Sequence, residues 1–512
     1  MEVIENRAVA VRVKRPAHIL AAIPKSRLLP DGRVLVHWGV DEMRVLQNLG
    51  VKSAPSPIMR DYNWPGMYKP FEHQKTVAAF LTMHSRAFNF GEQGTGKTMS
   101  AAWAADYLME KGLIKRVLIV CPVSVMDNAW RSDLFKTLMH RRVDIAHGSA
   151  EQRRKVIQGN AEFVIINYDG VPIMMEYLML AGFDLVIADE ANAVKTTSTR
   201  RWKSMAKLVK PNTWLWMMTG TPAAQSPVDA YGLAKLVNPN GVPRFFNGFR
   251  EQVMQKVTNF KYIPRPNAKD IVHAALQPAI RFTKKECLDL PEITYVTRHV
   301  PMTQQQKHYY DEFRKHMLIS AAGEQITAAN AAVKLNRLLQ IASGASYTES
   351  GAILDYDISN RYRVLEEVIS ETDRKVLVFV MYTHAIQALQ SRLKEDGYTV
   401  GVINGAVSAG ERTRLFRAFQ DDPDPRILII QPQSAAHGVT LTAADTIVWW
   451  GPTSSLEIYA QANARPHRAG QKFPCTVVRL EGAPVERHVY SMLDNNIDVH
   501  TQIVEMYRKL LD

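Results

Sequence analysis

Arg86-Ala-Phe-Asn-Phe90, then Gly91-Glu-Gln-Gly-Thr-Gly96-Lys97-Thr98, then Met99-Ser-Ala-Ala-Trp-Ala-Ala-Asp-Tyr-Leu-Met-Glu110 stand one after another without interruption. The first segment reads as a short buried strand. The last reads as an Ala-rich helix free of Gly and Pro. The middle segment fits G-x-x-x-x-G-K-[ST], and its strand–loop–helix setting makes it a phosphate-binding loop rather than an ordinary Gly-rich turn. Gly91, Gly94 and Gly96 let backbone N–H groups close on phosphate oxygens, where the helix N-terminus adds positive potential. Lys97 neutralises the outer phosphates, and Thr98 offers a hydroxyl to Mg²⁺.

Outward from this loop the same grammar repeats. Val117-Leu-Ile-Val120, Phe163-Val-Ile-Ile166, Asp184-Leu-Val-Ile-Ala188 and Trp214-Leu-Trp-Met-Met218 are continuous apolar runs separated by helical spacing. Strands buried on both faces read this way, so a parallel sheet covered by helices is expected. Strand signals return at Lys375–Val380, Thr399–Ile403, Arg426–Ile430, Thr446–Trp450 and Thr476–Leu480, which predicts a second α/β lobe. Between the lobes the strand signal fades, and Thr303 to Leu339 reads as long helix. The expected organisation is a small accessory piece over 1–62, a first lobe over 63–275, a helical insertion or linker over 276–360 and a second lobe over 361–512. In the first piece, Ala8–Val13 and Arg33–Trp38 alternate as half-buried strands, with a helix expected between His18 and Arg27. Residues 1–60 carry ten Lys/Arg and five Asp/Glu, so this α/β piece is basic. A basic accessory domain and a plain structural extension are both compatible with it.

Asp184-Leu-Val-Ile-Ala-Asp189-Glu190 delivers two adjacent acids at the end of a buried strand, the edge where open α/β sheets bind ligands. With the phosphate loop nearby, Asp189 is the expected holder of Mg²⁺ and Glu190 the group that polarises the attacking water or accepts its proton. The catalytic set is therefore Lys97, Asp189 and Glu190, with Thr98 and Asp189 toward the metal.

Composition narrows the class further. Among 512 residues, 46% are hydrophobic and 22% charged, which excludes wholesale disorder, a collagen-like fibre and a coiled-coil rod. Lys+Arg total 63 against 50 Asp+Glu, a formal +13 that suits a polyanion, either nucleic acid or an acidic membrane face. Apolar runs are strand-length, so no membrane-spanning segment is expected. The acid-bearing start Met1-Glu-Val-Ile-Glu5 is unlike a signal peptide, and a cytoplasmic location in a bacterium or phage-infected host is expected. Cys121, Cys287 and Cys475 form no Cys-x-x-Cys pair and read as small buried hydrophobes.

Phe71-Glu-His-Gln74, the loop at 91–98, Asp189-Glu-Ala-Asn192, Thr219-Gly-Thr-Pro222 and Gln461-Ala-Asn-Ala-Arg465-Pro-His-Arg468-Ala-Gly-Gln471 stand in the order of the helicase motifs of superfamily two. The last of them, with Ile280–Pro291 and Gly438–Asp445, resembles the Swi/Snf group of ATP-driven double-stranded DNA translocases, in a compact form like bacterial or phage members. That resemblance implies two RecA-like lobes with ATP between them, Gln74 reading adenine, and Arg465 and Arg468 acting as fingers on the transferring phosphoryl group. Offsets of four and three also predict that Gln461, Arg465 and Arg468 share one helical face. The resemblance places Pro122–Ser124, Asn167–Tyr168 and Gln433–Gly438 against the DNA backbone. It makes Thr219–Pro222 a relay of nucleotide state, although an N-cap before the next helix explains those residues equally. A monomer is expected. The N-terminal piece is faintly similar to the substrate-recognition module of annealing helicases.

Departures from the family pattern are Asn192 for a usual His, Thr95 for a usual Leu, Ala223-Ala224-Gln225 after the Thr-Gly-Thr-Pro motif and His437 for a usual Gly. Altered coupling rather than lost hydrolysis is the expected effect of Asn192. The function anticipated is an ATP-dependent translocase or remodeller of duplex DNA, and a strand-separating DNA or RNA helicase is its rival. A P-loop kinase leaves the second lobe, the two arginines and the charge unexplained.

Overall fold

The computed structural model describes residues 1–51, 54–220, 222–223, 226–257, 262–287, 289–321, 328–347, 353–435 and 439–495. The chain divides into two compact units, Met1–Cys287 and Leu288–Asp512.

The first unit begins with a four-stranded antiparallel sheet made of β1 (Glu2–Ile4), β2 (Ala8–Val11), β3 (Ser26–Leu28) and β4 (Val34–His37), ordered β1-β2-β4-β3. Alternation in β2 and β4 turns Val9, Val11, Val34 and Val36 into one core with Ile19, Met43 and Leu46 from two helices. The first helix runs Pro16–Ala22, earlier than the 18–27 expected, because proline is favoured in the first turn and Pro24 cannot continue the helix. Strand β3 then begins at Ser26. This piece is fastened to the rest of the unit: the Arg44 guanidinium lies 4.3 Å over the Trp214 ring, and Ser56 and Thr82 hydroxyls meet at 2.7 Å.

The larger sheet of this unit contains β5 (Arg86–Asn89), β6 (Val117–Cys121), β7 (Val143–Ala146), β8 (Phe163–Asn167), β9 (Leu185–Asp189) and β10 (Trp214–Met218). After a hairpin of β11 (Met254–Lys256) and β12 (Tyr262–Pro264), it is completed by β13 (Ala279–Ile280). Strand order is β13-β5-β10-β9-β6-β8-β7, parallel throughout. Leu118, Val120, Val186, Leu215 and Met217 face one core, while Val117, Ile119, Leu185, Ile187 and Trp216 face the other. Successive residues thus leave water on opposite faces, and each fully buried aliphatic side chain contributes about 1.5–3 kcal/mol. The continuous apolar runs of the sequence are the trace of this arrangement.

The second unit holds β14 (Ile293–His299), a hairpin of β15 (Ala345–Tyr347) and β16 (Ile353–Asp355), then β17 (Lys375–Phe379), β18 (Val400–Ile403), β19 (Ile427–Ile430), β20 (Ala444–Trp449) and β21 (Cys475–Glu481). Its six-stranded parallel sheet is ordered β14-β21-β20-β17-β19-β18. An ion pair buried beside the sheet joins helix Ser359–Ser370 to helix Pro484–Asp494. Arg361 grips Glu486 with bonds of 2.8 and 2.6 Å, and Glu486 also accepts the N–H groups of Gly482 and Ala483.

The stretch 276–360, read from sequence as helical, supplies a strand to each sheet. β13 carries the first unit to Cys287 rather than 275, and β14 opens the second. Two helices, Gln304–Ala321 and Ala328–Ser343, occupy the region of the single long helix expected, with 322–327 outside the described residues. Among the described residues no helix is long and apolar enough to cross a membrane. Cys121 and Cys475 are buried and Cys287 is partly exposed. Burial, with the Asp189 charge nearby, pushes the Cys121 thiol well up, which suits a packing role.

Candidate functional site

The strand registers of the first unit align its chemistry. Met218 lies beside both Asn89 and Asp189, and Asn89 beside Ile280. Every strand is parallel, so the segments after β5, β10, β9, β6 and β8 all emerge at one edge. These are the phosphate loop, Thr219-Gly220, Asp189-Glu190, Pro122–Ser124 and Asn167–Tyr168. Thr219 N–H donates to the Asn89 carbonyl at 3.2 Å, which joins two of these segments directly. Thr221, Ala224 and Gln225 lie outside the described residues.

Gly94 and Gly96 adopt φ of +87° and +77°, which an L side chain resists. At Gly96 space is short as well: a Cβ would stand 1.9 Å from Gln74 Nε2. Gln74 is buried against the loop, and its Oε1 accepts the Phe71 N–H at 2.9 Å. Helix Lys97–Glu110 starts directly after Gly96, so its free N–H groups face the loop and Thr98 is its second residue. Lys97 folds back and donates to the carbonyls of Gly91 at 2.7 Å and Glu92 at 3.3 Å.

Asp189 ends β9. Its Oδ2 accepts from Trp130 Nε1 at 2.9 Å and its Oδ1 from the Glu190 N–H at 3.0 Å. Burial pushes this carboxyl above the usual range, opposed by the Lys97 charge and by those two donors. Lys97 and Asp189 therefore sense each other across the sheet edge. Glu190 holds a left-handed backbone, φ +50° and ψ 54°, which costs a residue with a side chain about 1–2 kcal/mol. The turn is braced from below by the buried Tyr168, whose hydroxyl donates to the Asp189 carbonyl at 2.7 Å.

Trp130 and His73 complete the site without having been singled out by sequence, and Tyr168, expected against the DNA backbone, is buried beneath Asp189 instead. Trp130 lies in a π-helical turn, Met126–Arg131, a form that recurs at functional sites and leaves no residue pattern to read. His73 donates to the Thr95 carbonyl at 2.8 Å and stacks on Phe71, with ring centroids 5.7 Å apart. Its place beside Gln74 in the Phe71–Gln74 motif was the available signal.

The donor set suits a magnesium ion. Among the described residues no cluster of three or more His, Cys, Asp or Glu side chains forms a metal cage. Mg²⁺ binds through one or two carboxylates together with substrate phosphates, and Asp189 and Thr98 carry oxygen donors of that kind.

In the second unit, helix Leu456–Asn463 stops before both arginines. Pro466 ends it, since proline disfavours helix in the residue before it. The shared helical face expected for Gln461, Arg465 and Arg468 is thus replaced by a turn, and Gln461 bonds Glu457 within the helix. The turn still gathers the two guanidiniums, because each approaches the Val439 carbonyl, Arg465 at 3.5 Å and Arg468 at 3.3 Å. Gln471 clamps it by donating to the carbonyls of Ala444 and Pro466 at 2.8 and 3.1 Å. Gln433 and Ser434 sit in helix Pro432–Ala435 after β19, and 436–438 lie outside the described residues.

Comparison with known proteins matches the SNF2-related domain family to residues 73–347 and the helicase conserved C-terminal domain to residues 360–470. An uncharacterized ATP-dependent helicase of Mycoplasma genitalium, MG018, is 24% identical over 400 residues, covering 76% of this chain and 37% of its own length. A Caenorhabditis elegans homolog of the SWI/SNF-related matrix-associated actin-dependent regulator of chromatin subfamily A-like protein 1 is 24% identical over 470 residues, 90% of this chain and 65% of its own. The chain thus spans only part of the length of these relatives. Among solved structures, the Sulfolobus solfataricus SWI2/SNF2 ATPase core in complex with dsDNA aligns over 84% of this chain and 92% of that one, at 19% identity and a TM-score of 0.42.

Proposed function

The chain belongs to the SNF2-related domain family, and on that premise we propose that it hydrolyses ATP to move along duplex DNA, displacing or remodelling what it meets. The observation that carries this reading is the joint placement of the Lys97 loop and Asp189-Glu190 at one edge of the parallel sheet, with the Lys97 charge acting on the Asp189 carboxyl. ATP is the substrate. The amides around Gly94 and Gly96 bind its phosphates, Lys97 neutralises them and Gln74 contacts the adenine. Thr98 and Asp189 would hold Mg²⁺, which when bound neutralises phosphate charge. Glu190 accepts the proton of the attacking water, and its strained backbone fixes where that carboxylate stands.

Arg465 and Arg468 are the groups proposed to stabilise charge developing on the transferring phosphoryl group. Their convergence on one carbonyl supports a paired role. A positively charged chain is suited to the DNA backbone, which carries no sequence information. The proposed partition is an accessory piece over 1–62 and a motor over the remainder, acting as a monomer in the cytoplasm.

The test is ATP turnover without nucleic acid and with duplex DNA, single-stranded DNA or RNA, beside a Glu190→Gln control. Stimulation by duplex, absent in the control, is expected. Equal basal and stimulated rates would sink the translocase reading. Stimulation by single strands together with strand displacement would favour the helicase instead.

A further inference from the structure

Glu92 lies inside the phosphate loop, and every polar group it owns is engaged in two directions. Inward, its carbonyl accepts from Thr95 Oγ1 at 2.8 Å and from Lys97 Nζ at 3.3 Å. Outward, its N–H donates to the Phe282 carbonyl at 2.9 Å and its carboxylate accepts the Lys284 N–H at 3.0 Å, with Arg281 4.0 Å away. These outward bonds prolong the β13 ladder beyond the strand itself: the Phe88 and Phe90 N–H groups donate to the carbonyls of Pro278 and Ile280, and Glu92 takes the next rung. A second link runs in parallel. Phe282 tilts against His73 with ring centroids 5.9 Å apart, and His73 bonds the Thr95 carbonyl.

Segment 279–284 is also anchored by apolar packing of Ala279, Ile280 and Phe282 and by bonds between Thr283 and Glu286, but its strand, β13, is only two residues long and lies at the sheet edge. Three residues after Lys284 the chain leaves the first unit, at Cys287. The loop read as a nucleotide site therefore shares hydrogen bonds with the strand that leads to the exit. We propose that Glu92 is a positioning residue that couples nucleotide occupancy of the phosphate loop to the conformation of 279–287. It touches neither the reacting phosphorus nor the water. Its part is to keep the loop and the exit strand in one hydrogen-bonded unit, so that ordering either orders the other, a coupling that is reciprocal. This rests on the reading of 91–98 as a nucleotide site.

The test uses the full chain and its Glu92→Ala and Glu92→Gln variants. ADP affinity is measured by calorimetry, hydrogen exchange over 279–287 with and without ADP, and kcat and KM for ATP with duplex DNA. In the wild type, ADP is expected to slow exchange over 279–287 by about tenfold, within the usual 5–150-fold range of coupling between sites. E92A should bind ADP within about threefold of wild type, lose that protection and lower kcat about tenfold with a change in KM as well, the pattern expected of a conformational step. E92Q keeps an oxygen that accepts the Lys284 N–H and should restore both readouts. Undiminished protection in E92A, or wild-type ADP binding without any protection, would overturn the coupling while leaving the nucleotide site intact. E92Q as defective as E92A would overturn the hydrogen-bond account. A wild type that fails to bind ADP would overturn the nucleotide reading and this inference together.

Discussion

At the scale of single residues, the proposed roles separate groups that bind from groups that act on the transition state. In the proposed role Lys97 would meet ground-state phosphates and developing charge alike, so Lys97→Ala is expected to lower turnover by about 10²–10³-fold and to weaken ATP binding. Steady-state turnover with equilibrium nucleotide binding checks both. Arg465→Ala should behave differently. A finger engages mainly in the transition state, so loss of roughly 10³–10⁵ in kcat is expected with ATP affinity near normal. A proportionate loss of binding would count against the finger role. At Gly96, alanine meets both a positive φ and the Gln74 amide. The left-handed backbone alone costs alanine about 1–2 kcal/mol, so Gly96→Ala should weaken nucleotide binding by roughly tenfold or more.

At the scale of elements, the buried Arg361–Glu486 pair fastens two helices beside the second sheet, with side chains 3% and 1% exposed. Removing one partner leaves a charge buried without its counter-ion. Arg361→Ala is expected to destabilise the second unit by about 3–5 kcal/mol, read as a lower urea midpoint for that unit's transition. Elements also differ in how legible they are. Strands β6, β8, β9, β10, β17 and β19 announce themselves because both faces are buried and every residue is apolar or nearly so. β7 and β14 do not: Val143-Asp-Ile-Ala146 and Ile293-Thr-Tyr-Val-Thr-Arg-His299 expose residues at sheet edges, and β13 is too short to show any period. The loop and the Asp-Glu strand end are local in sequence and readable. Trp130 and Tyr168 reach Asp189 from 59 and 21 residues away in sequence, and Phe282 reaches His73 through ring packing alone, which no local pattern encodes. The arginine turn shows the converse error, a regular spacing taken for helix where Pro466 ends it.

For the whole molecule, the formal +13 bears on how it would hold DNA. Contacts to phosphates release counterions, so binding should weaken steeply with salt; six to ten such contacts imply a loss of about 10³–10⁵ in affinity between 50 and 200 mM. Fluorescence anisotropy with one duplex at several salt concentrations measures the slope, and a flat profile would separate the charge from DNA binding. A duplex-tracking motor should also displace a triplex-forming strand without unwinding the duplex beneath. The topology of the second sheet has a further consequence for the chain as it is made. β14 is the first strand of its unit to leave a ribosome, yet its sheet neighbour is β21, paired over seven positions from Ile293↔Cys475 to His299↔Glu481. At about 5–20 residues per second the nascent strand waits roughly 10–35 s with both backbone edges unpaired, one of which β21 later covers. During that interval β14 offers a chaperone or an aggregation partner twice the unpaired edge it keeps in the finished sheet.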